Sequence, residues 1–195
     1  MKIIVEPYNS DWEQDYARES TDILVALQSF APLIQHIGST SVRGLCAKPI
    51  IDCMLGLTTL EELNSIIPFM QSIGYSYVSK YEDVMPYRRY FVRYRSEVLP
   101  YIPEVDTETP NMWLAGYQPL VHVHSVVVDS EFWERHLAFR NYLRLHPNER
   151  DRYGNFKQNL ALQEWASSLD YSSAKHDFIQ DMEHVALNWY RTRKE

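Results

Sequence analysis

Cysteine is scarce in this chain, which carries only Cys46 and Cys53 among its 195 residues. Both lie beside apolar residues, and two cysteines offer neither the repeated spacing of a zinc site nor the framework of a disulfide-rich secreted domain. We therefore expect both side chains to be reduced thiols in the core.

Positive charge is also in short supply, because 19 Lys and Arg residues stand against 26 Asp and Glu residues, for a formal net charge of -7. A general nucleic-acid-binding surface neutralises many phosphates with clustered basic side chains. The composition argues against such a surface and favours a small molecule as the partner. It leaves the oligomeric state open.

Long apolar runs are missing as well. No segment approaches the roughly 18 consecutive apolar residues of a membrane span, and the apolar run at residues 1–5 is too short for a signal peptide. We expect a cytoplasmic protein without a membrane partner. The 45% hydrophobic content suffices for one well-buried domain over residues 1–195, of which 130–195 form a mostly helical C-terminal part.

The periodicity of apolar residues predicts an α/β (α+β) fold with a mixed sheet. The run at 50–57 is almost entirely apolar, as expected for a central strand buried on both faces. Strands are predicted over residues 2–6, 33–37, 50–57, 75–79, 88–95 and 121–128. Helices are predicted over residues 11–30, 59–73, 130–146, 148–167 and 172–193.

The most informative stretch is a Gly-Ser turn and the strand that follows it. Gly38 allows a tight turn, and Ser39, Thr40 and Ser41 follow as candidate caps of a short helix. The N–H groups at a helix start attract anions, and Asp52 on the next apolar strand is expected to face the same cleft. The stretch predicts a phosphate-binding turn beside a carboxylate.

A metal site can be sought on two strands. Polymerase-like nucleotidyl transfer holds Mg²⁺ with two carboxylates on one strand face, but the residue that shares that face with Asp52 is Met54. His122 and His124 alternate onto one face of a later strand and are expected to meet Asp52 across the sheet. This set predicts a divalent metal, with Zn²⁺, Mn²⁺ or Fe²⁺ suited better than Mg²⁺. The alternative is two half-buried histidines hydrogen-bonded to their neighbours.

Four basic residues are candidates for holding an anionic ligand. Lys48 lies close enough in sequence to reach the turn, whereas Arg140, Lys157 and Lys175 border the apolar stripes of predicted helices. A cation on a buried side needs a partner, which predicts a phosphate or carboxylate ligand. The alternative is that the aliphatic stems cover the core while the charged heads reach water, or that the heads form ion pairs with Asp52 or Glu residues.

The strand at 88–95 carries a further basic stripe, because Arg89, Arg93 and Arg95 share one face. In an acidic protein such a stripe either binds an anionic substrate or pairs with Asp and Glu residues. The sequence supports both interpretations equally.

Several motifs of this chain resemble those of the GrpB family. They are the run at 36–52, the His122-Val-His124 triplet, the Phe-Arg-Asn-Tyr-Leu run at 139–143 and two Tyr-x3-Lys patterns that end at Lys157 and Lys175. That family is usually placed in the nucleotidyltransferase superfamily, and some relatives are fused to dephospho-CoA kinase, where a folding-accessory role has been suggested. The resemblance implies a mixed sheet with helices packed on it and a cleft beside the Gly-Ser turn. Arg43 departs from the family, which more often carries Pro there, and is either an added phosphate contact or a neutral surface change.

These observations predict a nucleotidyltransferase-like protein that binds a nucleotide or another phosphorylated small molecule, with a divalent metal (Mg, Mn or Zn). One alternative is a non-catalytic ligand-binding or folding-accessory module, which Met54 favours, and another is a metal-dependent hydrolase. Asp52 and Ser39 are the predicted catalytic residues, and Asp52, His122 and His124 the predicted metal ligands. The predicted substrate-binding residues are Gly38, Ser39, Thr40, Ser41, Lys48, Arg140, Lys157 and Lys175.

Overall fold

The computed structural model describes residues 2–95, 99–112 and 115–193. The strands are β1 (Leu33–Ile37), β2 (Ile51–Leu57), β3 (Ser76–Tyr77), β4 (Arg88–Arg95) and β5 (Gln118–Val127). The helices are α1 (Asp11–Ala26), α2 (Leu60–Ser65), α3 (Ile67–Ser72), α4 (Glu131–Leu145), α5 (Pro147–Ala161), α6 (Ser168–Ser173) and α7 (His176–Arg191). Short 3₁₀ helices cover Gln28–Phe30, Ser39–Ser41 and Ser79–Tyr81.

The five strands form one mixed sheet in the order β1-β2-β5-β4-β3. Strand β2 runs parallel to β5, whereas the other neighbouring pairs are antiparallel. This arrangement confirms the predicted α+β class with a mixed sheet. Strand β2 is flanked on both sides and largely buried, as expected, but β5 rather than β2 lies in the middle of the sheet.

The register between β2 and β5 decides which side chains share a face. Asp52 lies opposite His122, and Met54 lies opposite His124. Successive side chains on a strand point to opposite faces, so a shift of one residue would separate these groups. The register therefore brings the predicted acid and both histidines to one face of the sheet.

The opposite face carries the largest apolar core. Helices α1, α2 and α3 cover it, and residues such as Ile23, Leu63 and Phe91 are fully buried against the Cys53 side of β2. Both cysteines are buried free thiols, which confirms that prediction. No helix in the described ranges is long and apolar enough to cross a membrane.

The face with Asp52 is covered by α4. Its Trp133 packs with Met54 and Ile37, and the Trp133 ring stands where a Cβ on Gly56 would be. Glycine is therefore required at position 56 for the helix to approach the sheet this closely.

The C-terminal helices pack on the segment that follows the Gly-Ser turn. Val42 and Leu45 lie in one cluster with Tyr142 of α4, Tyr153 of α5 and Met182 of α7. The predicted helical part is confirmed through Arg191, and its residues 194 and 195 lie outside the described residues. The packing brings α5 close to the turn, and the prediction of a single domain over the chain stays a prediction.

Several predicted boundaries were wrong. Residues 2–6 form no strand, because this segment makes only isolated bridges, from Lys2 to Glu164 and from Glu6 to Ala47. The predicted helix 59–73 is divided into α2 and α3, with Pro68 in the first turn of α3, where its missing N–H costs nothing. The predicted helix 172–193 also has wrong bounds, because α6 ends at Ser173, just after the predicted start, and α7 begins only at His176.

Candidate functional site

The Gly-Ser turn lies directly against Asp52. Gly38 has φ +68°, and a Cβ at this position would overlap with Oδ2 of Asp52. A residue with a side chain would meet both backbone strain and this clash. Glycine thus lets the turn and the carboxylate of β2 come together, as the sequence predicted.

The hydroxyl groups after Gly38 have different roles. Ser41 Oγ donates to Gly38 O at 2.6 Å, and Thr40 Oγ1 donates to Ile50 O at 3.3 Å while it lies 3.1 Å from His36 Nε2. No side chain caps the helix Ser39–Ser41, which is too short to attract an anion by its dipole. Thr40 and Ser41 therefore stabilise the turn, and their contact with a ligand stays a prediction.

Lys157 of α5 also contacts the turn. Its Nζ donates to Ser39 Oγ at 2.8 Å and to Cys46 O at 2.5 Å, and it lies 4.5 Å from the ring centroid of Tyr153. The residue is only 3% exposed. Burial, followed by the nearby charge of Lys175, lowers the pKa of Lys157 to about 7.

Two more lysines share one aromatic ring. Lys48 Nζ and Lys175 Nζ each lie 4.5 Å from the ring centroid of Tyr171. Burial, and then the charge of Lys48, lowers the pKa of Lys175 to about 8, while the charge of Asp52 acts in the opposite direction. Burial also lowers the pKa of Lys48.

These groups form the lysine site, which consists of Ser39, Lys48, Asp52, Lys157 and Lys175. The ion pairs found in the described part of the chain include none of the three lysines. Desolvated ammonium groups that lack a carboxylate in contact are costly unless an anion compensates them. The arrangement is suited to a multiply charged anion.

Asp52 also contacts His122, as the sequence predicted. Its Oδ1 lies 3.1 Å from His122 Nδ1, and the two side chains remain 27% and 24% exposed. A ligand can therefore reach both groups. With Nδ1–H donating to the carboxylate, Nε2 of His122 is the nitrogen left to accept a proton or meet a metal.

His124 has another partner. Its Nδ1 lies 3.1 Å from NH1 of Arg88, and because a guanidinium only donates, Nδ1 accepts and the ring proton is assigned to Nε2. Neither nitrogen then has a lone pair to offer a metal. Within the ranges that the structure describes, no group of three or more His, Cys, Asp and Glu side chains could hold a metal ion. The three-ligand site stays a prediction, of which the structure brings together Asp52 and His122.

Arg140 lies beside the site and supports it. Its NH1 donates to Gln35 Oε1 at 2.9 Å and to His36 O at 3.0 Å, on the strand that leads into the turn. Arg144, which the sequence analysis did not single out, donates twice to Ser41 O, at 3.0 and 2.7 Å. The available signal was its position one helical turn after Arg140, on the same face.

Arg89, Arg93 and Arg43 have ordinary explanations. Arg89 bonds Asn64 at 2.7 Å and pairs with Glu82, while Arg93 pairs with Glu19 and donates to a backbone carbonyl. These contacts support the interpretation of the basic stripe as paired side chains. The side chain of Arg43 is 81% exposed and reaches Glu13 at 3.4 Å.

Two surface cavities lie away from the lysine site. One is lined mainly by α5 together with Phe178, and the other lies between α4 and α7 around Trp189. Neither contains a residue of the lysine site. The candidate site is therefore defined by the partly exposed carboxylate of Asp52 and by its grouped charges, and not by a deep cavity.

The fold and this site define an α+β protein whose sheet and C-terminal helices together surround a glycine turn. The family described as GrpB protein matches residues 2–184, and the chain belongs to the GrpB family. It is similar to the UPF0157 protein YqkA of Bacillus subtilis, with 30% identity over 192 residues that cover 98% of this chain and 49% of YqkA. The chain thus spans about half the length of that relative.

Two further similarities support the same assignment. The glutamate-rich protein GrpB of Alkalihalophilus pseudofirmus is 22% identical over 183 residues, which cover 93% of this chain and 94% of that protein. The crystal structure of the conserved protein GrpB from Enterococcus faecalis matches with a TM-score of 0.77 and 31% identity, covering 96% of this chain and 99% of that one. These names identify a family and a fold without stating a reaction.

Proposed function

We propose that this protein binds a nucleotide or another phosphorylated small molecule at the lysine site. The observation that carries the proposal is the grouping of one buried and two partly buried lysines, none ion-paired in the described residues, around a glycine turn. Phosphate groups supply several negative charges at short spacing, as three ammonium groups require. Placement in the nucleotidyltransferase superfamily and in the cytoplasm is part of this proposal.

The side chains have distinct roles in such binding. Lys48 and Lys175 approach Tyr171 together, so a phosphate between them would relieve their mutual repulsion. Lys157 already holds Ser39 Oγ and thereby presents a hydroxyl and an ammonium group side by side. A bound phosphate would raise the pKa values of these lysines, since an anion favours their charged forms.

We further propose that Asp52 and His122 bind a divalent metal together with the ligand. Two protein donors are fewer than a structural Zn²⁺ site uses, whereas Mg²⁺ and Mn²⁺ commonly complete their coordination with water and phosphate oxygens. When bound, such a metal would neutralise developing phosphate charge in a group-transfer reaction. With His124 held by Arg88, the donor set favours Mg²⁺ or Mn²⁺.

A second candidate function is a non-catalytic nucleotide-binding or accessory module. It is favoured by Met54, which shares the face of Asp52 but is fully buried against Ile37 and Trp133. The position where polymerase-like enzymes carry a second carboxylate is thus part of the apolar core. Binding without transfer chemistry is the expectation under this alternative.

The test is thermal unfolding of metal-free protein with ATP, GTP, CTP or UTP, each with and without Mg²⁺, Mn²⁺ or Zn²⁺. A ligand that binds the folded state raises the melting temperature. We expect such a rise with at least one nucleotide. A rise that requires metal supports the transferase-like function, a rise with nucleotide alone supports the binding module, and no rise in any combination contradicts both.

A matched pair of variants localises the effect. Lys175→Met removes one ammonium group of the lysine site, whereas Lys80→Met removes a lysine that lies over Tyr81 in the same manner, 5.3 Å from the ring centroid, outside the site. We expect Lys175→Met to abolish most of the shift and Lys80→Met to leave it intact. Asp52→Asn is expected to remove only the part that depends on metal. Equal shifts in both lysine variants would place the ligand elsewhere.

A further inference from the structure

Arg88 is a buried cation that has no counter-ion among the residues the structure describes. The residue is 9% exposed, and its Nε is buried with no hydrogen-bond partner. The one hydrogen bond of its side chain in the described part of the chain runs from NH1 to His124, although a guanidinium carries five N–H donors. The ion pairs of the described residues do not include it.

The surroundings of Arg88 are aromatic rather than acidic. Its guanidinium lies 4.9 Å from the ring centroid of Tyr90, and the phenols of Tyr87 and Tyr81 are the other groups that act on its charge. Burial lowers the pKa of Arg88, yet an arginine stays protonated in proteins. A desolvated charge of this kind is costly unless it is paired. Its neighbours Arg89 and Arg93, by contrast, both have carboxylate partners.

His124 holds the guanidinium from one side. With Nδ1 accepting from Arg88, its Nε2 carries the proton. The ring is held in place by stacking on Tyr90, with centroids 5.0 Å apart, and by His136 on α4, with centroids 6.4 Å apart. His124 therefore fixes one nitrogen of the guanidinium between the sheet and α4, while the remaining donors of Arg88 stay underused.

This cluster shares a sheet face with Asp52 but lies further along it. Asp52 is paired with His122, and Arg88 is paired with Val126, four residues later on β5. At about 3.3 Å per residue the two positions are roughly 13 Å apart along the strand. One extended ligand, or two ligands side by side, can span that interval.

We propose that Arg88, which His124 holds through NH1, forms a second oxyanion subsite, which binds a carboxylate or phosphate group. The binding of an oxyanion by this subsite does not depend on the proposed function of the lysine site. The further claim that this oxyanion is the anionic end of a second substrate does rest on that proposed function. The guanidinium would engage the group in a forked pair of hydrogen bonds. An anion there supplies the counter-charge that no described side chain provides.

The test follows the imidazole resonances of His124 by NMR in protein labelled with ¹⁵N-histidine, while sodium phosphate or sodium acetate is added at constant ionic strength. We expect saturable shifts of His124 with at least one anion, and the two salts distinguish phosphate from carboxylate. In Arg88→Met the apparent dissociation constant is expected to rise at least tenfold. Arg95→Met, which removes an exposed arginine of the same strand, is expected to leave it unchanged.

Two further measurements separate the alternatives. The shifts of His124 are expected to persist in Lys175→Met. Saturable shifts of His124 in the wild type, together with no rise in the melting temperature of the wild type with any nucleotide, would overturn the proposed function alone. Arg88→Met is expected to unfold at the same or a higher temperature than the wild type without anion, because it removes an unpaired buried charge. Arg88→Lys, which keeps the charge and loses the fork, is expected to bind more weakly. Absence of saturable shifts in the wild type, or unaltered shifts in Arg88→Met, overturns the subsite.

Discussion

The carboxylate of Asp52 occupies the space beside Gly38 that a side chain at position 38 would need. Gly38→Ala is therefore expected to cost about 1–3 kcal/mol of unfolding free energy from backbone strain alone, and more from the overlap. Urea denaturation measures this. Gly74→Ala is the control, since Gly74 has φ +87° and nothing within 4 Å of the position that a Cβ would take. Equal losses in the two variants would contradict the close approach of Asp52.

The buried ammonium group of Lys157 predicts a pH-dependent stability. Because folding lowers its pKa from 10.5 to about 7, the unfolded chain binds more protons between these values, and the free energy of unfolding rises with pH. The rise is at most about 1.4 kcal/mol per pH unit for one lysine. We expect the difference in unfolding free energy between the wild type and Lys157→Met to move in favour of the wild type from pH 7 to pH 9. A difference that is flat with pH would show that Lys157 is charged throughout.

The affinity for a phosphorylated ligand is expected to have the opposite pH dependence. Lys157 and Lys175, with pKa values of about 7 and about 8, lose charge as the pH rises, so binding must be accompanied by proton uptake. We expect the dissociation constant for the best nucleotide to increase at least tenfold between pH 7 and pH 9 in isothermal titration calorimetry. Lys175→Met is expected to bind more weakly with a shallower pH dependence. An affinity that does not change with pH would remove these lysines from the binding site.

Arg144 is expected to stabilise the turn through its two hydrogen bonds to Ser41 O. Hydrogen bonds to charged groups contribute about 1.5–3 kcal/mol, and Arg144→Gln is predicted to lose about that much in urea denaturation. The control is Arg43→Gln, because Arg43 is exposed and its contact with Glu13 is long. Its unfolding free energy is expected to change by less than about 0.5 kcal/mol, with nucleotide affinity unaltered. A large effect at Arg43 would favour its interpretation as a phosphate contact.

The parts of the fold that depend on local pattern could be predicted from the sequence. The apolar run of β2 and the glycine before Ser39 indicated a buried strand and a tight turn, and both are present. Lys157 was singled out because it interrupts an apolar helix stripe, and it is buried at the turn. The β5 position in the middle of the sheet could not be obtained in this way, because strand order depends on contacts distant in sequence.

Side-chain partners explain what the sequence could not show. Alternation along β4 drew attention to Arg89 and Arg93, whereas Arg88 on the other face lacks a carboxylate partner among the described residues. Only the pairing of β4 with β5 places Arg88 near His124. The tautomer of His124, and with it the ability to ligate a metal, follows from that neighbour and not from the His-x-His spacing.

The contact between Lys157 and Ser39 joins residues that are 118 positions apart, and Asp52 and His122 are 70 apart. Contacts of such long sequence separation form slowly, since chain entropy must be lost before they can stabilise the fold. On the ribosome, the turn and β2 emerge well before the lysines of the C-terminal helices. A nascent chain therefore has no complete lysine site until at least Lys175 has been synthesised. Occupancy of the site then reports that the C-terminal helices have packed against the turn and β2.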